Sequence, residues 1–312
     1  MMQALNGSLV ALITPMVEEG EIDFKALEKL IDWHIDSGTN GIVSVGTTGE
    51  SATLNVEDHL KVIKHTVDYA NSRIPIIAGT GANSTSEAIE LTQESKNIGA
   101  DCALIVTPYY NKPSQKGLIN HYTKIADKVD FPQILYNVPS RTACDLLPSS
   151  VEILSSHKNI IGIKEAVVTE DRISDLINIS KANKNFLLFS GDDPSFLQMI
   201  KRGGHGVISV AANVIPSLIA EICLLALNKK YDDADLINND LENLYELLFI
   251  ESNPVPAKWM LYKMGFVKNS IRLPLVPLDE KFHKNVVNEM LKLNLIWDII
   301  IYFSLFFVHH VQ

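Results

Sequence analysis

The residue best suited to covalent chemistry is a lysine that ends an apolar run. Lys164 directly follows residues 160–163 (IIGI), so its side chain is expected to lie among apolar neighbours at the end of a buried strand. Desolvation disfavours the ammonium form and lowers the pKa of such a lysine. The neutral amine can then attack a carbonyl group and form a Schiff base. The alternative is a lysine that extends to solvent or pairs with Glu165.

A tyrosine and a polar turn could assist that chemistry. Tyr136 lies near the end of the preceding apolar run, and a phenol beside a Schiff-base lysine can transfer the protons that imine formation requires. The alternative is a core tyrosine with a satisfied hydroxyl. The turn at 46–49 offers backbone N–H groups and the hydroxyls of Thr47 and Thr48, which suit a carboxylate as well as plain turn formation. Arg141 could bind a second carboxylate with two hydrogen bonds or cover the surface.

These residues lie at or near the ends of short apolar runs that recur along the chain. The eight runs begin 20 to 33 residues apart and are LVALIT (9–14), IVSVG (42–46), IPIIAG (74–79), CALIVT (102–107), PQILYN (132–137), IIGIK (160–164), FLLFSG (186–191) and GVISV (206–210). Continuous apolar runs are typical of parallel strands covered on both faces. Amphipathic stretches between them predict crossover helices. Eight such units predict an α/β fold, a (β/α)8 TIM barrel, with reactive groups at the carboxyl ends of its strands.

The part of the chain after the eighth run has a different pattern. It predicts helices throughout, interrupted by the segment SNPVP at 252–256. We therefore predict a catalytic barrel over residues 1–224, a C-terminal helical domain over 225–293 and an apolar tail over 294–312. A doubly wound sheet is the alternative fold, but it needs fewer units and a glycine-rich dinucleotide turn that this sequence lacks.

Composition narrows the classes of function. With 27 Lys and Arg against 37 Asp and Glu, a net charge of −10 does not predict a nucleic-acid partner. Three cysteines without CxxC spacing and nine histidines without an HExxH motif predict neither a disulfide framework nor a metal site. The first residues, MMQALNGSLVALITPM, lack the basic region of a signal peptide, so we expect a cytoplasmic protein.

The segment 293–308 (LNLIWDIIIYFSLFFV) is almost wholly apolar. It is shorter than the roughly 20 residues that span a bilayer, and it contains Asp298, so no membrane span is predicted. We interpret it as an extra helix or strand that packs on the body or against another subunit. An interfacial membrane anchor and an extension without fixed structure are the alternatives.

Seven motifs, taken together in order and spacing, resemble the dihydrodipicolinate synthase family. They are GTTGESATLN, AGTGAN, TPYYNKPSQ, ILYNVPSRT, IIGIKEA, SGDD and GGHGVISV, and the similarity runs from about Leu5 to about Leu293. The resemblance implies a TIM barrel with a C-terminal helical domain, usually assembled as a homotetramer. It implies the condensation of pyruvate with aspartate-4-semialdehyde to 4-hydroxy-tetrahydrodipicolinate, in lysine and diaminopimelate biosynthesis, without a metal or organic cofactor.

The resemblance also assigns catalytic roles. Lys164 corresponds to the lysine that captures pyruvate as an imine, and Tyr136 to the general acid and base. Thr48 is expected to link Tyr136 to Tyr110 in a relay of hydroxyl groups. In the family, the counterpart of Tyr110 reaches across a dimer interface, so an isolated subunit would have an incomplete site.

Four residues are assigned to substrate binding in the same way. Thr47 and Thr48 correspond to the turn that binds the pyruvate carboxylate, and Ile208 to a residue that contacts pyruvate through its backbone. Arg141 corresponds to the arginine that receives the carboxylate of the semialdehyde.

The resemblance further implies a regulatory site for lysine at the dimer interface. The matching residues are Ser51, Ala52, His59, Gly81, Asn83, Glu87 and Tyr109. Glu87 would receive the ammonium group of the ligand, and Asn83 and Tyr109 would contact its other end. Val56 stands where sensitive relatives carry a histidine, so we expect lysine to bind but to inhibit weakly.

The sequence departs from the family pattern at two places, and it leaves two alternative functions open. Val167 and Val168 follow IKEA where the family commonly has Thr-Gly-Asn, and Ala143 replaces a frequent glycine.

One alternative function is that of another pyruvate-dependent lyase, such as N-acetylneuraminate lyase or a 2-keto-3-deoxy-sugar-acid aldolase. Arg141 and Tyr110 favour the synthase, because a second carboxylate needs a cation. The other alternative is a non-catalytic barrel that binds an oxoacid or lysine.

Overall fold

The computed structural model of the chain describes residues 5–296. Most of the predicted apolar tail, residues 297–312, therefore lies outside the described residues, and its interpretation stays a prediction. Leu295 and Ile296, at its start, are partly buried against the core. Between residues 5 and 296, no helix combines the length and the apolar character needed to cross a bilayer.

Eight parallel strands close into a barrel in chain order. They are β1 (Gly7–Ala11), β2 (Gly41–Ser44), β3 (Ile76–Gly79), β4 (Cys102–Val106), β5 (Gln133–Asn137), β6 (Ile160–Glu165), β7 (Leu187–Ser190) and β8 (Gly206–Ser209). The (β/α)8 fold predicted from the sequence is confirmed. The strand ends differ from the predicted runs by up to three residues, because several runs continue into the loops that carry the polar residues.

The part of the chain that the structure describes contains thirteen α-helices. They are α1 (Phe24–Asp36), α2 (Val56–Ala70), α3 (Thr85–Ile98), α4 (Gln115–Lys128), α5 (Pro139–Thr142), α6 (Pro148–Ser155), α7 (Glu170–Ala182), α8 (Phe196–Lys201), α9 (Pro216–Leu227), α10 (Tyr231–Asn239), α11 (Glu242–Leu247), α12 (Val255–Lys263) and α13 (Glu280–Lys292). Asp23 and Asn55 accept hydrogen bonds from the first turns of α1 and α2. Gly99 caps the C-terminal end of α3, and its φ of 100° suits a residue without a side chain.

Strand side chains alternate between two apolar layers. One buried cluster lies inside the barrel and contains Leu9, Val43, Ile77, Leu104, Ile134, Tyr136, Phe189 and Ile208. The alternate residues pack against the helices in a larger outer cluster. Tyr136 and Lys164 are register partners on β5 and β6, so the lysine faces the interior together with the tyrosine. The alternation therefore directs both reactive side chains into the barrel.

A buried asparagine that follows β8 bonds to residues at the ends of both β1 and β8. The side-chain oxygen of Asn213 accepts a hydrogen bond from the backbone N–H of Ile13 at 3.0 Å. Its side-chain nitrogen donates to the carbonyls of Ala11 at 2.8 Å and Val210 at 3.0 Å. One side chain thus joins the segment after β1 to the segment after β8, at the carboxyl end of the barrel.

The helices after the barrel pack back onto it. The predicted domain boundary after residue 224 falls inside α9, which packs on β1 and α8, so this helix is better assigned whole to the barrel. Farther along, Phe266 stacks on Trp33 of α1 with ring centroids 4.2 Å apart. The division into a barrel and a helical domain itself stays a prediction.

Replacing Asn213 with alanine is expected to lower the free energy of unfolding by about 2 kcal/mol or more, because the buried N–H of Ile13 loses its acceptor. Equilibrium urea denaturation followed by circular dichroism, at matched protein concentration, measures the change. Asn228→Ala is the control, since that exposed side chain contacts only the Leu224 carbonyl in its own helix, and it should change stability by less than about 0.5 kcal/mol. Equal losses in both variants would contradict this account.

Candidate active site

Lys164 is buried at the carboxyl end of β6, with 4% of its surface exposed. Its Nζ lies 4.4 Å from the centroid of the Tyr136 ring. Burial lowers the pKa of Lys164 to about 8, which Asp193 opposes and the Arg141 cation reinforces. A substantial fraction of the amine is therefore neutral near physiological pH and able to attack a carbonyl.

Glu165 does not pair with Lys164, because successive strand residues face opposite sides. Its carboxylate is fully buried on the helix side and accepts hydrogen bonds from Asn137, Arg172 and the backbone N–H of Val167. Burial raises the pKa of Glu165 to about 7, against the effect of those three partners. The alternative of a Lys164–Glu165 ion pair is wrong. This outward network is a feature that sequence reasoning missed, and only the alternation of the strand could have indicated it.

The lysine also depends on a glycine on the adjacent strand end. A Cβ atom at Gly191 would lie 2.9 Å from Cε of Lys164 and 3.3 Å from the carbonyl oxygen of Glu165. Any larger residue would displace the lysine side chain. The sequence motif SGDD contained this residue but gave no sign of its steric role.

The two threonine hydroxyls of the turn have different surroundings. Burial raises the pKa of Tyr136, whereas the Arg141 cation and a hydrogen bond with the Thr47 side chain lower it. Thr48 is buried, and its Oγ1 instead accepts a hydrogen bond from Nδ2 of Asn253 at 3.0 Å. Thr47 is therefore the threonine that acts on Tyr136 in this structure, and the predicted relay through Thr48 stays a prediction.

Tyr110 is not brought to this cluster within one chain. It is 89% exposed, and no hydrogen bond joins it to Tyr136 or either threonine in the described part of the structure. Its backbone has a φ of 74°, in the left-handed region that residues other than glycine seldom adopt. Its predicted role across a dimer interface stays a prediction.

The two remaining predicted substrate residues lie at different depths. Ile208 is fully buried on β8, where it pairs with Leu9 of β1. Arg141 is exposed on the short helix α5, and its guanidinium donates to the carbonyl of Asn253 at 3.4 Å. Arg141 therefore lies at the mouth of the site, above the interior that contains Lys164.

A cavity of about 290 Å³ opens beside these residues. Its lining consists of Thr47, Ser51, Ala52, Leu54, Val56, His59, Gly81, Ala82, Glu87, Leu91, Val106, Tyr109, Val138, Arg141 and Thr142. It brings together Thr47, Arg141 and all the residues predicted to bind lysine except Asn83, which donates to the Tyr109 carbonyl at 3.3 Å. A smaller cavity of about 20 Å³ contains Tyr136 and shares part of this wall, including Thr47 and Ser51. The interior site and the outer cavity are therefore neighbours.

Comparison with known proteins identifies the family. The sequence pattern of the dihydrodipicolinate synthetase family matches residues 4–293. The chain belongs to this family. A 4-hydroxy-tetrahydrodipicolinate synthase from Saccharophagus degradans is 53% identical over 292 residues, which cover 94% of this chain and 100% of that protein. The resemblance predicted from the sequence is confirmed.

Solved structures of dihydrodipicolinate synthases have the same fold. The enzyme from Acinetobacter baumannii, solved in complex with pyruvate, is 48% identical, with a TM-score of 0.91 over 94% of this chain and 100% of that one. The enzyme from Cyanidioschyzon merolae, solved with lysine bound, is 33% identical, with a TM-score of 0.89 over 93% of this chain and 99% of that one.

At the two departures from the dihydrodipicolinate synthase pattern, the residue affects the site through its backbone and not through its side chain. Val167 contributes its N–H to Glu165 at 2.7 Å, which any residue except proline could do. Ala143 ends α5 with a φ of 53°, where a side chain costs about 1–2 kcal/mol that glycine would avoid. Neither departure removes a group from the cluster around Lys164.

The amine of Lys164 is expected to titrate near pH 8, reacting more slowly below that pH as it becomes protonated. Arg141→Met should raise this pKa, since removing a nearby cation favours the charged ammonium. Competitive acetylation with acetic anhydride across a pH series, quantified by peptide mass spectrometry, measures both. Lys61 is the internal control, because its contact with Glu57 raises its pKa above the ordinary 10.5. Identical titration of the two lysines would contradict the assigned environment of Lys164.

Proposed function

We propose that the chain is a 4-hydroxy-tetrahydrodipicolinate synthase that joins pyruvate to L-aspartate-4-semialdehyde through an imine on Lys164. The observation that carries this proposal is the buried amine of Lys164, with its pKa lowered to about 8, against the face of Tyr136. A lysine in that environment is suited to covalent capture of a ketone. Membership of the family and 53% identity to a synthase of that name support the reaction class.

The first step is imine formation at the ketone of pyruvate. The neutral amine of Lys164 attacks the carbonyl carbon, and the carbonyl oxygen leaves as water after it has been protonated. Tyr136 and its hydroxyl partner Thr47 supply and receive these protons. The high pKa that burial gives Tyr136 keeps its phenol protonated and ready to donate.

The polar turn binds the carboxylate of pyruvate. Thr48 accepts a hydrogen bond from Asn253, which leaves its own hydroxyl proton available for the substrate. Gly49 lets the turn approach the barrel, since a Cβ there would lie 2.9 Å from Cα of Val45. The turn and Lys164 thus orient the two ends of pyruvate.

The second step forms the carbon–carbon bond. The iminium withdraws electrons, so a methyl proton leaves and a nucleophilic enamine results. The enamine attacks the aldehyde carbon of the semialdehyde, and the aldehyde oxygen takes up a proton to become a hydroxyl group. The carboxylate of the semialdehyde is bound by Arg141 at the mouth. The amino group of the same substrate then closes the ring and displaces Lys164, which regenerates the free amine.

Arg141 also favours this reaction over that of a related sugar-acid lyase. A guanidinium at the mouth pairs with a second carboxylate, whereas a sugar chain requires hydroxyl partners. We further propose a cytoplasmic homotetramer. The three cysteines, which are buried and unpaired, are consistent with a reducing compartment.

Borohydride reduction in the presence of pyruvate should fix one pyruvate-derived adduct on Lys164, detected by intact-mass and peptide mass spectrometry. Lys164→Met should give no adduct, because the nucleophile is absent. With the native enzyme, aspartate-4-semialdehyde should be a much better second substrate than a neutral sugar aldehyde in steady-state assays.

Two results would contradict the proposal at different levels. A folded native protein without an adduct would remove the Schiff-base mechanism and favour a binding barrel. Equal efficiency with a neutral sugar aldehyde would leave the mechanism intact but replace the second substrate.

We also propose that the outer cavity binds lysine. Glu87 and Tyr109 line it, and His59 lies deeper, where its Nε2 donates to the Gly79 carbonyl at 2.7 Å. Burial lowers the pKa of His59, so this imidazole stays neutral. Glu87 is thus the group that can pair with a ligand ammonium, while Val56 contributes no hydrogen bond.

Calorimetry should detect lysine binding, and steady-state assays should show weak, incomplete inhibition. Glu87→Gln should weaken binding about tenfold or more, because a charge-assisted hydrogen bond is lost. Glu90→Gln, which alters another exposed carboxylate of α3, should leave it unchanged. Full inhibition at micromolar lysine, or no detectable heat of binding, would refute this part of the proposal.

A further inference from the structure

A buried ion pair joins the helices after the barrel to the polar turn of the site. Glu50 directly follows the turn, and Lys258 lies on α12; each residue is 3% exposed. Nζ of Lys258 donates to Oε1 of Glu50. The two residues are 208 positions apart in the chain. Their contact is therefore a tertiary link between two separate parts of the fold.

The second oxygen of Glu50 is also engaged. Oε2 accepts a hydrogen bond from the backbone N–H of Arg272 at 3.1 Å. The guanidinium of Arg272 donates to the carbonyls of Gly20 at 2.8 Å and Thr53 at 3.1 Å, and to Asp58 at 2.8 Å. Both carboxylate oxygens of Glu50 are thus bound by residues from the C-terminal part of the chain, Lys258 and Arg272. These contacts hold the side chain in a single orientation.

The backbone of Glu50 links the position of its side chain to the conformation of the turn. Its φ is 61°, a left-handed conformation that residues other than glycine adopt only when their surroundings impose it. Its N–H donates to the carbonyl of Thr47 at 3.1 Å. Fixing the Glu50 side chain therefore fixes the orientation of the peptide groups at Thr47 and Thr48.

Asn253, five residues before Lys258, contacts the turn directly. Asn253 donates to Oγ1 of Thr48 at 3.0 Å. On the barrel side, Thr14 donates to the carbonyl of Gly49 at 2.7 Å. The turn is thus held between the barrel and the start of α12, and Lys258 provides the charged contact.

We infer that Lys258 is a positioning residue for the pyruvate-binding turn and acts through Glu50 without touching the substrate. This inference rests on the proposed function. Removing the ammonium of Lys258 would leave the Glu50 carboxylate buried without its cation. The Glu50 side chain would then move, and the hydroxyl and N–H groups of the turn would no longer match the carboxylate of pyruvate.

Lys258→Met is expected to raise the pyruvate KM about tenfold or more, since small displacements of positioning groups have large effects. The kcat at saturating pyruvate should change by less than about threefold, as expected when an interaction made equally in the ground and transition states is lost. Glu50→Gln should shift the pyruvate KM in the same direction. The double variant should be no worse than Lys258→Met, because both substitutions act through one contact.

The matched control is Lys201→Met. It breaks a second lysine–carboxylate pair, with Asp235, which joins α8 to α10 and is partly buried, whereas the Glu50–Lys258 pair is buried. Its pyruvate KM should stay within about twofold of the native value, as expected for a surface-proximal pair outside the site. Urea midpoints of all variants separate lost stability from altered binding.

Unchanged pyruvate KM in folded Glu50→Gln and Lys258→Met would refute the inference, even if both lost stability, because their role would then be structural. If Lys258→Met does not fold, Glu50→Gln decides, since it keeps the shape of the side chain. Absence of a borohydride-trapped pyruvate adduct on the native enzyme would instead refute the proposed function, and the inference with it.

Discussion

The desolvation of Lys164 is the constraint on which the rest of the site depends. A lysine beside a glutamate would ordinarily form an ion pair and remain protonated, because the carboxylate stabilises the ammonium. In β6 the strand pleat directs Lys164 inward and Glu165 outward, so two opposite charges in adjacent residues do not meet. The apolar layer inside the barrel then disfavours the ammonium, while Arg172 and Asn137 satisfy the carboxylate on the other side. The lowered pKa of the Lys164 amine and the outward network of Glu165 are two results of one alternation.

The polar groups around that amine come from elements far apart in the chain. β5 contributes Tyr136, the turn after β2 contributes Thr47, and the start of α12 contacts the back of that turn through Asn253 and Lys258. The barrel alone supplies the apolar interior and the strand ends. The polar turn at 46–49 and Glu50 are contacted in addition by residues of the C-terminal region, so the helices after the barrel pack directly behind the site.

Much of this arrangement could be predicted from the sequence. Eight β-branched runs indicated the strands, and because consecutive strands of a barrel are neighbours, Tyr136 and Lys164 were expected side by side. The choice between Thr47 and Thr48 could not be predicted, since it depends on backbone angles within a turn. The contacts of Asn253 and Lys258 left no signal either, because a single pair of residues that far apart produces no periodic pattern. The predicted boundary after residue 224 falls inside α9, where the sequence stays helical and contains no signal of a division.

The link between Glu50 and Lys258 sets an order of events during synthesis. The 208 residues from Ser51 to Lys258 must be translated before the carboxylate of Glu50 can meet the ammonium of Lys258. At about 5–20 residues per second, this takes roughly 10 to 40 s after Glu50 has been added. Throughout that interval the nascent chain carries an unpaired glutamate next to its polar turn, and closure of β8 on β1 also waits for late residues. A ribosome-bound chain that has finished only its first seven strands therefore has neither a closed barrel nor the charged contact of Glu50 with Lys258.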